Sequence, residues 1–390
     1  MAALLVFGSP KTTADPGSEH QGASAQVTQK PDVPATQMPS GLRVDLLTEV
    51  IGAWDFKARL APPADAIDEV RLERADLGAR LSLHELVGGT VSLEAIRSAQ
   101  PDSLLGIAGD SILPRFRLAE VFLKVPLLVV DLSARAGLIG DPWIDTLEEV
   151  YVVRTFGATL AQRSGFFERS DLGILVSAAW PLVGEVALMA SNGEGNVQPE
   201  RNRQKDIALR LSLQPVQIDV DGSPLVIGLS GLARRGFRGP GSADNDRLAV
   251  ALLLSHDAFH AGVDAALARG LLSRSDVVAY FASAFSDFPL GPPGLHGVVR
   301  LEAVNPVAEM GTATMTGTGL AGVFVDVLSL IPSPSSADSS LRDAGLRVGC
   351  AIEGNLRGQA AGPIPGVAAS REDLRVMLVA DLLHLPHQRP

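Results

Sequence analysis

The stretch RVDLLTEVIGAWDFKARL, residues 43–60, sets Val44, Leu46, Val50, Trp54, Phe56, Ala58 and Leu60 on one parity. Arg43, Asp45, Glu49, Asp55, Lys57 and Arg59 fall on the other. A period of two belongs to a strand with one apolar and one wetted face. Globular strands run about five or six residues, so this one is far too long for an ordinary sheet.

The same alternation returns along the chain. Leu77, Ala79, Leu81 and Leu83 oppose Asp76, Arg80 and Ser82; Leu132, Ala134, Ala136 and Leu138 oppose Asp131, Ser133 and Arg135. Further runs begin at Ile207, Leu248, Ala261 and Leu346, and the pattern predicts an all-β chain. A sandwich needs bulky residues that interlock between sheets, whereas these apolar rows are mostly Leu, Val and Ala and the opposite rows are charged. Lipid outside and water within satisfy both, provided the sheet closes, because an open edge strands backbone donors in hydrocarbon. The expected fold is a transmembrane antiparallel β-barrel, up-and-down, of about sixteen strands. Residues 41–390 form it as a single domain.

Two other readings stay open. One is a soluble or periplasmic all-β carbohydrate-binding protein whose apolar rows meet a second protein layer. The other is a closed structural outer-membrane barrel, plugged by residues 139–169.

Short connections are expected near 87–90, 181–184 and 256–259. Longer polar ones fall near 61–69, 99–114, 139–169, 193–202, 236–246, 305–320 and 358–370. The segment 139–169 does not alternate; Trp143, Leu147, Val150, Tyr151 and Arg154 have the spacing of a helical turn or two. So long a loop in a compact protein usually has a function, and in a barrel that function is to fold inward and narrow the lumen.

Composition narrows the classes. A net charge of −11 argues against general affinity for nucleic acid or acidic lipid. No run of about eighteen apolar residues lacks charges, so a transmembrane helix is not expected. The cations are mainly arginines, since Lys11, Lys30, Lys57, Lys124 and Lys205 are the lysines. Cys350 is alone, which excludes an intramolecular disulfide, and it falls on the apolar parity. No metal spacing and no cofactor motif is present. Residues 1–40 read as a signal segment lacking its basic front, or as a disordered tail, followed by a Ser/Thr/Pro/Gln-rich linker.

SNGEGN at 191–196 lacks the strand–GxGxxG–helix context of a pyrophosphate site and reads as a hairpin turn. In SHDAFH at 255–260, neighbouring residues on a strand point to opposite faces, so a Ser-His-Asp relay is excluded and a hairpin tip is expected. No nucleophile elbow or paired catalytic carboxylates appear, and an enzyme is not expected.

The segments FFERSDLGILVSAAW and ALMASNGEGN, together with VRLERADLGARLSL, resemble bacterial outer-membrane porins of the phosphate-selective (polyphosphate-type) group. The resemblance extends over residues 43–384. It implies a sixteen-stranded homotrimer in a Gram-negative outer membrane, whose third long loop constricts a passive diffusion channel. The chain departs from the group by ending LLHLPHQRP rather than on an aromatic residue, and by its low aromatic content of 5%. Phosphate specificity is not carried over, because a lysine cluster is missing.

Selectivity in such a pore comes from ionisable groups in a narrow passage. The constriction candidates are Arg154, Arg163, Arg169, Glu148, Glu149, Glu168 and Asp171. Pore-wall candidates are Arg59, Arg71, Arg74, Arg80, Asp131 and Arg135. The expected partners are outer-membrane lipid and small hydrophilic solutes or ions, with no nucleic acid and no metal.

Overall fold

The computed structural model describes residues 42–59, 66–98, 111–196, 200–220, 222–271, 277–327, 344–357 and 373–384. The first half of the sheet comprises β1 (Leu42–Arg59), β2 (Ala66–Leu83), β3 (Val87–Ser98), β4 (Ser111–Pro126), β5 (Asp131–Gly140), β6 (Ser170–Trp180), β7 (Gly184–Ser191) and β8 (Asp206–Val220). The chain then forms β9 (Ser223–Arg235), a small ribbon of β10 (Phe237–Arg238) and β11 (Ala243–Asp244), and β12 (Asp246–His256). The remaining strands are β13 (Phe259–Arg269), β14 (Val278–Pro289), β15 (Leu295–Asn305), β16 (Thr316–Asp326), β17 (Ala344–Arg357) and β18 (Asp373–His384). Each strand except the ribbon pair is hydrogen-bonded antiparallel to its neighbours, with β9 pairing β12 and β1 pairing β18. The result is a closed sixteen-stranded barrel. No edge is left to strand backbone groups.

The strand faces follow the alternation. Val44, Leu46, Trp54, Leu77, Leu209, Val250, Leu252, Val263 and Ile352 are exposed on the outside, and no second layer among the described residues covers them. A water-soluble monomer rarely shows an apolar surface that large, and the single closed sheet removes the sandwich reading. Cys350 lies on the same outward face and is exposed.

Several predicted boundaries need correction. The tight turn after β2 lies at 84–86, with His84 and Glu85 at φ 49° and 59°, and 87–90 is strand. The glycines there mark a close approach instead: a Cβ on Gly88 would collide with the Leu81 carbonyl of the paired strand. Loops read at 61–69, 99–114 and 305–320 are shorter, because β2, β4 and β16 begin at Ala66, Ser111 and Thr316. The connection 236–246 contains the β10–β11 ribbon, and 193–202 extends to the start of β8. The tips at 181–183 and 257–258 agree with the reading of the sequence. Residues 1–40 and the loop 358–370 lie outside the described residues.

Candidate functional site

The connection between β5 and β6 begins with α1 (Pro142–Glu148). Asp141 caps it by accepting from the Trp143 amide at 2.8 Å, and Pro142 occupies the first turn. A 3-10 turn over 152–156 and α2 (Leu160–Arg163) follow, the latter capped by Thr159. Gly157 and Gly165, at φ 141° and 71°, let the chain reverse between these pieces.

This loop does fold inward, and its apolar face decides where. Trp143, Ile144, Leu147, Tyr151, Phe156, Phe166 and Phe167 form one core with inward-facing wall residues, among them Leu232, Ala249, Ala251, Ala266, Phe281, Phe285, Leu320, Phe324, Met377 and Ile51. Tyr151 meets Phe285 edge-on at 4.8 Å, and Phe166 meets Phe281 the same way. The inner wall from β9 through β18 to β1 is therefore largely apolar and covered by the loop. From β2 to β8 the inner wall is mostly polar, apart from Leu118 and Phe122 of β4 and a small cluster of Ile139, Leu175, Ala187, Met189 and Ala208.

Ion pairs fasten the loop around its perimeter. Arg74 reaches Glu148 at 3.1 Å and Glu49 at 3.2 Å, and Arg154 also reaches Glu49 at 3.2 Å. Arg163 binds Glu302 at 2.6 Å. Arg169 bridges Asp76 and Glu94, both at 2.8 Å. Arg210 holds Thr146 and Glu185, and Arg234 holds Asp141. The buried Arg300 links Tyr151, at 3.1 Å, to Glu353, at 2.5 Å. Arg135 pairs with Glu120 at 2.8 Å and with Asp145 at 3.2 Å.

Two loop carboxylates differ in their electrostatics. Burial alone would raise Glu148, but Arg74, Arg117 and Arg154 overrule it and hold its pKa at about 2. Glu149, one residue on, is exposed in the lumen yet crowded by the wall. Desolvation pushes it up to about 7 against the pull of Arg210, with Asp145 and Glu185 adding like charge.

The candidate residues thus fall into groups. Arg74, Arg154, Arg163, Glu148 and Arg169 belong to the clamps that hold the loop, and Glu149 stands open. Asp171 lies on β6 rather than in the loop, where it accepts from the Leu172 and Gly193 amides. Glu168 binds Arg238 of the ribbon at 2.7 Å. Arg80 lies over the Phe122 ring, 4.4 Å from its centroid, and Asp131 sits at the short-turn end of β5. The side chains of Arg59 and Arg71 are outside the described residues. Sequence reasoning missed the wall partners Glu49, Asp76, Glu94, Arg117, Glu120, Glu302 and Glu353. Inward parity was their available signal, but parity does not say which loop cation each one meets.

The SNGEGN segment opens the β7–β8 connection rather than a tight hairpin. Its Glu194, 1% exposed, accepts from the Gly239 amide at 2.7 Å and from Asn202, tying two long connections together. No group of three or more His, Cys, Asp or Glu residues among the described residues is arranged to hold a metal.

No family model matches the chain, and no curated protein is similar to it. Solved structures are. The anion-selective porin from Comamonas acidovorans superposes with a TM-score of 0.53 at 12% identity, over 88% of this chain and 99% of that one. OprB of Pseudomonas putida gives 0.55 at 10% identity, over 88% and 94%. OmpF of Salmonella typhi gives 0.53 at 11% identity, over 87% and 98%. At such identities the likeness is one of fold: the chain has the closed sixteen-stranded barrel of these porins.

Proposed function

We propose that the chain is an outer-membrane channel of a Gram-negative bacterium, through which small hydrophilic solutes, anions among them, diffuse passively. The observation that carries this reading is the sheet's reversed polarity. Leucine and valine rows face outward around a closed barrel, while charged side chains line the inner wall from β2 to β8 opposite a loop folded into the lumen. An aqueous route then runs between the loop and that polar wall, past Arg135, Glu149 and Glu185, with no covalent step. The acceptance of anions is supported by the arginine-rich wall and by the fold shared with an anion-selective porin. A homotrimer is supported by the same fold in a trimeric form of OmpT from Vibrio cholerae, at a TM-score of 0.52 and 14% identity over 88% of this chain and 100% of that one. The phosphate-selective group remains a resemblance of short motifs.

One observation favours a second reading. The apolar loop–wall core is extensive enough to suit a plugged structural barrel. Planar-bilayer recording decides between them. Discrete ohmic steps from the heat-modifiable barrel are expected; a membrane-inserted barrel without current establishes the plug.

A further inference from the structure

Below the docked loop, near the short-turn end, three side chains outside the clamp network converge on the inner wall. Asp287 of β14 is 3% exposed. His260 of β13 stands opposite it in the ladder, donates its backbone N–H to Asp287 Oδ1 at 3.0 Å, and brings Nδ1 within 3.1 Å of the same oxygen. His296 of β15 places Nδ1 3.4 Å from Asp287 Oδ2, and that nitrogen is buried without a hydrogen-bond partner. The His296 ring lies flat on Phe324, centroids 5.0 Å apart and planes 1° apart, which fixes its aim. Phe324 itself belongs to the core beneath the loop.

One carboxylate between two imidazoles is an arrangement for protons. Imidazole is the side chain that ordinarily changes charge between pH 5 and 8. The two histidine side chains keep 26% and 23% of their surface open, so lumen water reaches them. With both rings neutral, the group carries one net negative charge; with both protonated, one net positive charge. We propose that His260, Asp287 and His296 form a proton-operated charge switch at the short-turn mouth, turning the proposed channel toward anions as the pH falls. The inference rests on the channel reading and deepens it.

Most neighbouring charges are held by partners of their own, and Arg300 is committed to Tyr151 and Glu353. Asp264, farther along β13, accepts from Ser283 at 2.6 Å through Oδ1, while its Oδ2 is buried without a partner. Arg347 of β17 lies over Phe324 and is in register with Asp326 of β16. β12 sets the uncharged Ser255 opposite His260. His256, at the adjoining tip, accepts from the Ala258 amide and stacks on Phe259, away from Asp287.

The test is the anion-to-cation permeability ratio, from reversal potentials in a salt gradient at pH 8 and pH 5. It is run in E149Q/D264N, which removes the loop carboxylate that titrates in the same range and the half-partnered carboxylate of β13. The ratio is expected to rise several-fold on acidification. With H260Q/H296Q added it should stay flat, and with D287N added the whole curve should move toward anions. H260Q and H296Q singly, each keeping one ring, should give about half the swing and guard against a folding defect in the double variant. A conducting barrel whose ratio is flat in E149Q/D264N, or whose swing survives the addition of H260Q/H296Q, overturns the switch and leaves the channel standing. Absence of any current fails the channel reading itself.

Discussion

Arg300 of β15 donates to the hydroxyl of Tyr151 at 3.1 Å, joining the middle of the inward loop to the wall across 149 residues of chain. Both side chains are buried, at 1% and 2% exposed. A guanidinium so enclosed must have its hydrogens matched, and Tyr151 supplies a partner that the acidic residues Glu302 and Glu353 do not replace.

Removing that hydroxyl leaves a charged donor short of one bond. Tyr151→Phe is expected to cost about 1.5–3 kcal/mol, the range for a hydrogen bond to a charged group, while the ring keeps its edge contact with Phe285. The loss should appear as a lower temperature at which the folded band converts in a detergent gel. An unchanged conversion temperature removes Tyr151 as an anchor.

Orientation of the barrel is testable at one position. Val250 of β12 is 55% exposed and points outward, while its neighbours Ala249 and Ala251 are buried against the loop. Val250→Arg places a guanidinium in hydrocarbon and should destabilise the membrane-inserted fold by about 2–4 kcal/mol. The same substitution at Leu248, nearer the long-loop end of β12, should cost less. Equal, small effects at both positions in denaturant titrations from lipid vesicles mean that this row does not meet acyl chains.

How much of this was legible in the sequence is shown by the same strand. The alternation of Leu248, Val250, Leu252 and Leu254 marked the outward face of the sheet. The residues between them are Ala249, Ala251 and Leu253, so both faces of the run are apolar. Ile51 and Ala53 repeat the signal on the mainly charged parity of β1. Those exceptions mark an inner wall that docks apolar side chains from the loop, and period-two reading passed over them because it asks only which face is greasier. The loop's helical spacing of Trp143, Leu147, Val150 and Tyr151 was visible, but its receptor is spread over nine wall strands distant in sequence. Ion pairing was less accessible still. Arg163 and Glu302 are 139 residues apart, and only barrel closure brings them together.

Glu148 balances Arg74, Arg117 and Arg154 at the loop's edge. Glu148→Gln keeps the shape and removes the negative charge, so this part of the lumen becomes more positive by one unit. The reversal potential should move toward anions by a clearly measurable step, and the shift should shrink in high salt as screening shortens. No shift at low salt would mean that ions do not pass within reach of this cluster.

Glu149 gives the passage a pH dependence of its own. Its carboxyl is pushed up to about 7, so it is largely neutral at pH 5.5 and largely charged at pH 8.5. Raising the pH through that window adds a negative charge beside the polar wall, and cation permeability should rise with it. Measured in H260Q/H296Q/D264N, the rise should centre near pH 7 and vanish when Glu149→Gln is added. A profile flat from pH 5.5 upward means that lumen water keeps Glu149 in the ordinary carboxylate range.

The division of the lumen predicts where solutes travel. Ser133 and Ser177 share a 2.8 Å hydrogen bond on the polar side, between β5 and β6, and both are only partly buried. Ala251 and Ala266 lie on the opposite wall beneath the loop, at 2% and 4% exposed. Single cysteines are placed at these four positions in a Cys350→Ser background, which removes the outward thiol. A charged, membrane-impermeant thiol reagent should then modify Cys at 133 and 177 and reduce the single-channel current. Cys at 251 and 266 should stay unmodified until denaturant frees the loop, because the dock excludes water there. Reaction at all four positions would mean that the loop is not held against β12 and β13. Reaction at none would mean that the polar side is also closed, and the barrel is then a plugged structure rather than a conduit.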